Sequence, residues 1–470
     1  MTIWWLAIDA KYCSFEELLK RGVIAHGWPN VGDLRNNGRF GVLLHSAHNV
    51  DEQRNFILER HQHAYPNENF QTRVVNISNF FFNIRPGDLV LGRPGQNLAG
   101  ICEVPKNFSY SFDNNYNYAH EFGRVTWYRW NEVSPDWVGP PPPRQLHGAC
   151  NVGNDATRVI DIFRNFLFTK RQDQLMNNQK TILEQRKQII FTGPPGTGKT
   201  REAKRLASFM LTGRADENIS KFRGLSVREN APGAWEIIQF HPSYNYDDLV
   251  RGLRVRTADG QTTYTTEDGP LLKMADLAIN NPEKKFILII DEINRANVSA
   301  VLGEMIYALE YRGEAVSLQY GDGGNTQVCL PKNLYVIGTM NTADRSIGHL
   351  DYAVRRRFAF LELLPDEVVV QSWNGFDSQT KQKALDKFRM VQGLFVGQNN
   401  CLTGDYQATD VQPGHSYFLA QNIGELGMNI KYQVGPLLKE YIADGVLKPT
   451  ALAMIEQITG DHNPSGNPAP

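Results

Sequence analysis

The sequence predicts an α/β protein in two parts: a small, mostly β domain comes first, and a larger domain with a parallel sheet and a helical end follows. Three observations predict this fold class. A glycine-rich loop separates a strand pattern from a helix pattern near residue 193. A later apolar strand, residues 286–290, ends in an acidic pair, and strands alternate with helices around it. Residues 1–138 are instead rich in aromatic residues and short strand patterns.

The glycine-rich loop is the most specific of these signals. An apolar strand pattern covers residues 188–192, and a helix pattern covers residues 201–210. The stretch between them fits G-x-x-x-x-G-K-[ST] without a mismatch, with Gly193, Pro194, Pro195, Gly196, Thr197, Gly198, Lys199 and Thr200. Such a loop turns backbone N–H groups and a helix N-terminus toward a polyphosphate. We therefore expect a nucleotide site in which Lys199 reaches the β- and γ-phosphates and Thr200 ligates Mg²⁺.

Polar residues follow two of the later predicted strands. Asp291 and Glu292 end the uninterrupted apolar run 286–290, which is typical of a strand buried on both faces of a parallel sheet. We expect Asp291 to hold Mg²⁺, through water, and Glu292 to orient or deprotonate the attacking water. Asn341 closes the strand that begins at residue 334, so its amide is placed to position the same water. Ligands bind at the carboxyl ends of such strands.

The composition limits the classes of function and location. The chain has 470 residues, 41% of them hydrophobic and 21% charged, and its formal net charge is −1. No global basic field attracts nucleic acid, so any such contact must be a local patch or a pocket. The five cysteines form no C-x-x-C and indicate neither a disulfide framework nor a zinc site: 13, 102, 150, 329 and 401. No signal peptide or membrane-spanning stretch is predicted, and we expect a cytoplasmic protein.

Local patterns predict the remaining elements. The first part is expected to hold strands at 3–8, 40–44, 88–91, 99–104 and 123–128, and a helix at 14–20 with Ser14 as its N-cap. Helix patterns also cover 156–167, 171–186, 381–391, 434–442 and 448–457. The predicted boundaries are a domain at 1–138, a Pro-rich linker at 139–160 around Pro140–Pro143, an α/β region at 161–362, a helical region at 363–458 and a disordered tail at 459–470.

The first part resembles EVE-like domains of the PUA superfamily. The resemblance rests on the segment 22–34, which contains Gly27-Trp28 and Gly32-Asp33, and on shorter matches at 84–91, 100–104 and 124–127. It implies a pseudo-barrel that binds DNA or RNA and receives a modified base in an aromatic pocket. Trp28 and Asp33 match the motif and are pocket candidates. Tyr116 and Tyr118 are candidates for further stacking surface, although aromatic residues of a small β domain also commonly form its core.

Residues 180–420 resemble the McrB branch of AAA+ proteins. The matching segments are 239–248, 289–297, 340–346, 351–358 and 414–418. The resemblance implies an AAA+ module with a helical lid, a hexameric ring, Mg²⁺-dependent hydrolysis of GTP and stimulation by a separate McrC nuclease. It assigns Asn341 and Asp344 to the hydrolytic site and Arg355 or Arg356 to a finger that reaches the neighbour's nucleotide. At least one of the three consecutive arginines is expected to pair within its own subunit, and Arg357 is the candidate. GTP rests on the resemblance alone, because no N-K-x-D motif is present, and ATP is the alternative.

Together these observations predict the DNA-recognising motor subunit of a modification-dependent restriction system. One alternative is an RNA-directed defence GTPase, and another is an AAA+ remodelling chaperone whose first domain binds protein clients. The chain itself is not expected to be a nuclease. Glu202 and Lys204 have the local spacing of a nuclease motif, but they belong to the helix that opens at the glycine-rich loop.

Overall fold

A computed structural model describes residues 2–460 except 10, 37, 46–49, 95–97, 135–148, 152–155, 217, 229, 259–260, 323–324, 344–349 and 399. The predicted proline run at 140–143, the tail from 461 onward and Asp344 therefore lie outside the described residues. The chain divides into two compact units, Met1–Thr169 and Lys170–Pro470. None of the helices in the described part of the chain combines the length and the hydrophobicity that a bilayer span requires.

The first unit mixes strands with helices. Its strands are β1 (Ile3–Ile8), β2 (Val23–His26), β3 (Leu89–Pro94), β4 (Gly100–Glu103), β5 (Tyr110–Phe112), β6 (His120–Gly123), β7 (Tyr128–Arg129) and β8 (Ala149–Asn151). Its helices are α1 (Phe15–Arg21), α2 (Gly38–His45), α3 (Val50–Ala64), α4 (Val74–Ser78) and α5 (Trp130–Val133). One sheet has the strand order β7-β4-β3-β1-β8 and another the order β2-β6-β5. The first sheet is mixed, because β1 pairs parallel with β3 and antiparallel with β8.

The first unit differs from the expected small, mostly β domain. The predicted strand at 40–44 is part of helix α2, and helix α3 was not predicted. The predicted strand at 123–128 divides into the end of β6 and the start of β7, because Arg124 has a left-handed backbone with φ +68°. Helix α1 is confirmed: the Ser14 side chain accepts from the Glu17 N–H, and Gly22 ends the helix in the left-handed conformation.

Helix α6 (Ala156–Arg186), whose second half begins the second unit, is continuous where the sequence predicted two helical segments. Strand β8 and the start of α6 lie within the span expected to be a linker. The strands of the second unit are β9 (Gln188–Gly193), β10 (Gly233–Gln239), β11 (Arg251–Ala258), β12 (Gln261–Asp268), β13 (Lys285–Asp291), β14 (Ala315–Asp322), β15 (Asn325–Cys329), β16 (Leu334–Asn341) and β17 (Ala359–Glu362).

The helices of the second unit surround its sheet and then form the C-terminal region. They are α7 (Lys199–Thr212), α8 (Tyr246–Leu249), α9 (Pro270–Ile279), α10 (Val298–Leu302), α11 (Met305–Glu310), α12 (Tyr352–Arg355), α13 (Glu367–Ser372), α14 (Ser378–Phe395), α15 (Ala408–Val411), α16 (Ile423–Asn429), α17 (Gly435–Ala443) and α18 (Leu452–Thr459). The predicted helical region thus exists, and its buried residues form a core of their own around Phe388 and Leu438.

The central sheet has the order β10-β13-β16-β9-β17, and the pairs within it are parallel. Strand β13 shows why it is buried on both faces. Leu288 and Ile290 pack into the core on one side of the sheet, and Ile287 and Ile289 pack into the core on the other side. The apolar runs of β9, β13 and β16 therefore predicted the sheet correctly. Their carboxyl ends bring residues 193, 291 and 341 to one edge.

Candidate nucleotide-binding site

The glycine-rich loop connects β9 to α7. Gly193 ends the strand, and Gly196 and Gly198 both have φ +80°, a conformation that strongly favours glycine. The space around these glycines is also too small for a side chain. A Cβ on Gly193 would lie 2.1 Å from the Leu363 carbonyl oxygen, and one on Gly196 would lie 2.4 Å from the Tyr417 ring. Only glycine fits at both positions. Inside the loop, the Thr197 hydroxyl donates to the Pro194 carbonyl at 3.0 Å.

Lys199 lies at the first position of α7 and is buried. Its Nζ donates to the carbonyl oxygens of Gly193 at 2.9 Å and Pro194 at 2.8 Å, so the ammonium group is held within the loop. Burial lowers the pKa of Lys199 to about 8, and the charges of Glu292 and Asp291 oppose that shift. A phosphate group in the loop would add negative charge beside the ammonium group and favour its protonated form.

The acidic pair lies beside the loop. Asp291 ends β13, and its Oδ1 accepts from two hydroxyl groups, those of Thr200 at 2.7 Å and Thr339 at 2.6 Å. Mg²⁺ in nucleotide sites is typically held by one or two carboxylates together with the substrate phosphates. The Asp291 carboxylate and the Thr200 hydroxyl, which lie within hydrogen-bond distance of each other, fit that donor set.

Glu292 is oriented by its backbone conformation and by three neighbouring side chains. It has φ +55° and ψ +46°, a left-handed conformation that is costly for a residue with a side chain. Its N–H donates to the Thr339 hydroxyl at 3.1 Å. Its carboxylate accepts from the Asn341 amide at 2.7 Å and from Arg295 Nε at 3.4 Å. The structure therefore brings Lys199, Thr200, Asp291, Glu292 and Asn341 together, as the sequence predicted.

Thr339 is a site residue that the sequence reasoning did not select. Its side chain is buried at 2% exposure and bridges the two acids, because its hydroxyl donates to Asp291 and accepts from the Glu292 N–H. The available signal was its place two residues before Asn341, since alternate residues of a strand point to the same face. A second missed group is the segment 414–417, whose backbone contacts the glycine-rich loop.

The arginines that follow β16 contact Phe360 and Glu310. Arg355 lies against the ring of Phe360, 5.6 Å from its centre. Arg356 donates to Glu310 at 2.9 Å, and Arg357 pairs with the same carboxylate at 2.6 Å. The side chain of Arg357 is 10% exposed and that of Arg356 is 64% exposed, so Arg357 is bound within its own subunit as expected.

The base-pocket candidates of the first unit occupy different surroundings. Trp28 is half-buried, has φ +69° and packs edge-on against Tyr65 and Phe70, with ring centres 5.2 Å and 4.9 Å away. Tyr116 is 37% exposed, with the Arg21 guanidinium 3.6 Å above its ring. Both keep some exposed aromatic surface.

The other two pocket candidates require correction. Tyr118 is buried, and its hydroxyl accepts from the Asp9 N–H at 2.6 Å, so its ring belongs to the core. The carboxylate of Asp33 accepts from Arg35 Nη2 at 2.6 Å, and Arg35 lowers the pKa of Asp33. Asp33 is therefore a paired anion in this conformation, and it does not offer an unpaired acceptor to a base.

Two buried histidines lie next to Trp28. His120 donates from Nε2 to the Trp28 carbonyl at 3.1 Å and accepts at Nδ1 from the Tyr110 hydroxyl at 2.8 Å. His61 bonds the Ile57 carbonyl through Nδ1 at 3.0 Å, while its buried Nε2 has no partner among the described residues. Burial is the main cause that lowers the pKa of His61 to about 3 and that of His120 to about 4. Both rings are neutral near pH 7.

Comparison with known proteins agrees with this geometry. Residues 188–358 match the family model of the AAA domain, dynein-related subfamily. The chain is 35% identical over 286 residues to the type IV methyl-directed restriction enzyme EcoKMcrB subunit of Escherichia coli strain K12, a match that covers 57% of each protein. It is 28% identical over 217 residues to the type II restriction enzyme BsuMI component YdiS of Bacillus subtilis strain 168, a match that covers 40% of this chain and 60% of that protein.

The chain thus spans 57% and 60% of the lengths of these two relatives. The match at 188–358 begins at β9 and ends just before β17, so it contains the glycine-rich loop, both acids and Asn341. Together with the parallel sheet, the match indicates an AAA-type nucleotide-binding domain at residues 188–358.

Proposed function

We propose that this chain is the nucleotide-hydrolysing, DNA-recognising subunit of a system that restricts modified DNA. The observation that carries the proposal is the cluster of Lys199, Asp291, Glu292 and Asn341 at one edge of the sheet. The similarity to a subunit of a methyl-directed restriction enzyme supports the biological role. In this proposal the nucleotide is GTP, with ATP as the alternative, and the chain acts as a homo-oligomeric ring, a hexamer, with a separate McrC-like nuclease.

The proposed reaction is in-line hydrolysis of the terminal phosphate. The loop 193–198 and Lys199 hold the phosphates, and Thr200 and Asp291 hold Mg²⁺, which supplies positive charge beside the phosphate oxygens. Glu292 accepts a proton from the attacking water or orients it, and Asn341 fixes the carboxylate that does so. Arg355 or Arg356 of a neighbouring subunit adds positive charge near the transferred phosphate.

In the first unit we propose a site for a modified base, formed by Trp28 with a contribution from Tyr116. Stacking on an aromatic ring is worth about 1–3 kcal/mol, which offsets much of the cost of extruding a base. Burial of one methyl group adds about 0.8 kcal/mol, so methyl burial alone predicts a preference of only several-fold for the modified base.

Hydrolysis by the full-length chain tests the enzymatic part. We expect Mg²⁺-dependent release of phosphate, faster with GTP than with ATP. The Lys199→Ala variant should lose nucleotide binding, because it removes the charge that faces the phosphates. Lys204→Ala is a matched control, since Lys204 is exposed on the same helix. Equal hydrolysis by wild type and Lys199→Ala would refute the assignment of the site, and faster turnover of ATP would refute the choice of GTP.

Binding of the full-length chain to oligonucleotides tests the recognition part. The panel contains duplexes with 5-methylcytosine, 5-hydroxymethylcytosine, 6-methyladenine or no modification, and a single-stranded RNA. Trp28→Ala should abolish the preference for a modified duplex, whereas Tyr12→Ala, a change at an exposed aromatic residue, should not. Trp28→Phe keeps an aromatic ring at this position, so it serves as a second variant in case Trp28→Ala unfolds the first unit. Preference for RNA would favour the RNA-directed GTPase, and no nucleic-acid binding at all would favour the chaperone.

A further inference from the structure

The amino-terminal edge of the central sheet, where its strands begin, carries an excess of positive charge. The segments that lead into or open four of its strands each contain more lysine and arginine than aspartate and glutamate: 184–187 at β9, 282–285 at β13, 331–333 at β16 and 355–358 at β17. Because the strands pair in parallel, these segments meet at the same edge. The formal net charge of the whole chain is −1, so the excess is local.

Lys187 is a cation of this edge that lacks an acidic partner. It follows helix α6, precedes β9 and is engaged in no ion pair with the described residues. Burial lowers the pKa of Lys187, and so do three further cations: Arg312, Lys285 and Lys332. The charge of Glu184 opposes them. The four cations are therefore close enough for each charge to act on the others.

Arg312 is a second cation that no carboxylate neutralises among the described residues. Its Nη1 donates to the carbonyl oxygens of Pro331 at 3.4 Å and Leu334 at 3.2 Å, and its Nη2 donates to Gln188 Oε1 at 2.8 Å. Burial lowers the pKa of Arg312 to about 10, so the guanidinium stays charged near pH 7. Both of its terminal nitrogens bond neutral groups, so Arg312 adds positive potential that nothing in this part of the structure cancels.

The acids of the same edge are already paired. Glu184 accepts from Lys285 at 2.9 Å. Glu310 accepts from Arg356 at 2.9 Å and from Arg357 at 2.6 Å, so one carboxylate serves two guanidinium groups. These pairs leave the charges of the edge unbalanced toward positive.

We propose that this edge binds the phosphate backbone of duplex DNA through the ammonium groups of Lys187 and Lys332, with Arg312 adding positive potential. The inference rests on the proposed recognition of DNA and deepens it. Lys332 is exposed and, within the described part of the chain, forms no ion pair. An ammonium group binds phosphate as a compact point charge, whereas carboxylates are best matched by the planar fork of arginine. The fork of Arg312 is occupied, so the available groups favour phosphate over an acidic protein surface.

Such a contact would be separate from the nucleotide site. Gln188 and Gly193 stand at the two ends of β9, and at about 3.3 Å per residue the strand separates them by roughly 17 Å. Phosphate contacts also carry no sequence information of their own. They should therefore raise the affinity for every duplex alike and leave the preference for a modified base unchanged.

The test is the affinity of the full-length chain for an unmodified DNA duplex at several salt concentrations. Each phosphate contact adds about 0.9 to the slope of log affinity against log salt. Lys187→Gln combined with Lys332→Gln should reduce that slope by about 1.8 and weaken binding roughly ten-fold at about 0.1 M salt. Lys187→Arg combined with Lys332→Arg keeps both charges and should behave like the wild type.

The matched control is Lys204→Gln combined with Lys383→Gln, which removes two exposed lysines of the second unit that lie on helices α7 and α14. Its slope should equal that of the wild type. In the glutamine variant of the edge, three quantities should not change: the melting temperature, the rate of nucleotide hydrolysis without DNA, and the ratio of affinities for modified and unmodified duplexes.

Three results would overturn the assignment. One is a change in slope and affinity no larger than that of the control. Another is an equal loss in the glutamine and arginine variants, which would mean that the two lysines support the fold. The third is weaker binding of polyglutamate with unchanged binding of DNA, which would identify an acidic protein partner. If the wild-type chain binds no DNA, modified or unmodified, the proposed function itself fails. If it binds DNA and the variants follow any of the three patterns, only the role of this edge fails.

Discussion

At the scale of single residues, the position of Glu292 depends on interactions that do not include the substrate. Its left-handed backbone costs roughly 1–3 kcal/mol, and the bonds to Thr339 and Asn341 hold it in place. The hydroxyl of Thr339 joins the backbone N–H of Glu292 to the carboxylate of Asp291, and the Asn341 amide holds the carboxylate of Glu292 itself. The pair therefore behaves as one preorganised group.

The Glu292→Gln variant tests the role of the carboxylate. Glutamine keeps the shape and the left-handed backbone but cannot accept a proton from water, so the rate of hydrolysis should fall roughly 10²–10⁴-fold. Nucleotide affinity should be nearly unchanged, because Lys199 and the loop are intact. Single-turnover hydrolysis together with binding of GTPγS measures both quantities. Unchanged hydrolysis would remove Glu292 from the mechanism.

At the scale of secondary structure, the sequence predicted buried strands well and short apolar runs poorly. The runs of β9, β13 and β16 are apolar without interruption, and the structure confirms each one. The run 40–44 is also apolar but forms helix α2, in which Phe40 and Leu43 are buried while Val42 is 70% exposed. Residues three apart share a face only in a helix, and five residues are too few for the pattern to reveal this beforehand.

The candidate site was predictable to the same extent. Each predicted member that proved to lie at the sheet edge follows a recognisable strand or belongs to the glycine-rich loop. Thr339 was missed because a threonine has no distinctive motif of its own, and only its position two residues before Asn341 in the same strand indicated its role. The pocket candidates of the first unit were less certain, because pattern alone cannot say which aromatic side chains of a folded domain are exposed. Tyr118 and Tyr116 are two residues apart, yet one is buried and the other is 37% exposed.

The contact between the segment 414–417 and the glycine-rich loop can be broken by one methyl group. In Gly414→Ala the new Cβ would lie 2.1 Å from the carbonyl of Gly196 and 2.3 Å from the nitrogen of Thr197, far inside van der Waals contact, so the segment must move away from the loop. We expect nucleotide affinity to fall at least ten-fold, which titration with GTPγS measures. Gly393→Ala is the matched control, since Gly393 lies within helix α14 and a Cβ there would meet no heavy atom of the described residues within 4 Å apart from its own helix backbone and chain neighbours. Equal affinity in both variants would contradict the importance of this contact.

The buried histidines of the first unit predict a pH dependence of stability. The folded pKa values of His61 and His120 are about 3 and about 4, below the ordinary value of 6.5. Between those values the unfolded chain binds protons that the folded chain does not. The free energy of unfolding should therefore fall as the pH falls below 6.5, by up to about 1.4 kcal/mol per pH unit for each histidine.

Urea denaturation at pH 7.0 and pH 5.5, followed by tryptophan fluorescence, measures this effect. Six of the eight tryptophans belong to the first unit: 4, 5, 28, 127, 130 and 137. His61→Leu should remove the contribution of one titrating histidine from the pH dependence of the free energy of unfolding. His63→Leu, at an exposed position two residues away, should leave that pH dependence unchanged. A pH dependence that is identical in both variants would show that His61 does not contribute.

At the scale of the whole molecule, the exposed arginines suggest that hydrolysis requires a neighbouring copy. Arg355 and Arg356 are exposed, and among the described residues Arg355 lies over Phe360 and Arg356 donates to Glu310. A guanidinium supplied in trans is worth roughly 10³–10⁵ in rate. Mixtures of Arg355→Ala or Arg356→Ala subunits with Lys199→Ala subunits should recover hydrolysis that neither variant has alone. No recovery at any mixing ratio would exclude a finger in trans at these positions.

The order of the central sheet has a consequence for how the candidate site responds to heat. Strand β16 lies between β13 and β9, so Asn341 is one strand away from the acidic pair and one strand away from the glycine-rich loop. Adjacent strands are about 4.8 Å apart, and this spacing sets the distances within the site. Such distances cannot drift gradually on warming, because they change only when backbone pairing breaks. The cluster should consequently remain assembled up to the temperature at which the sheet itself melts.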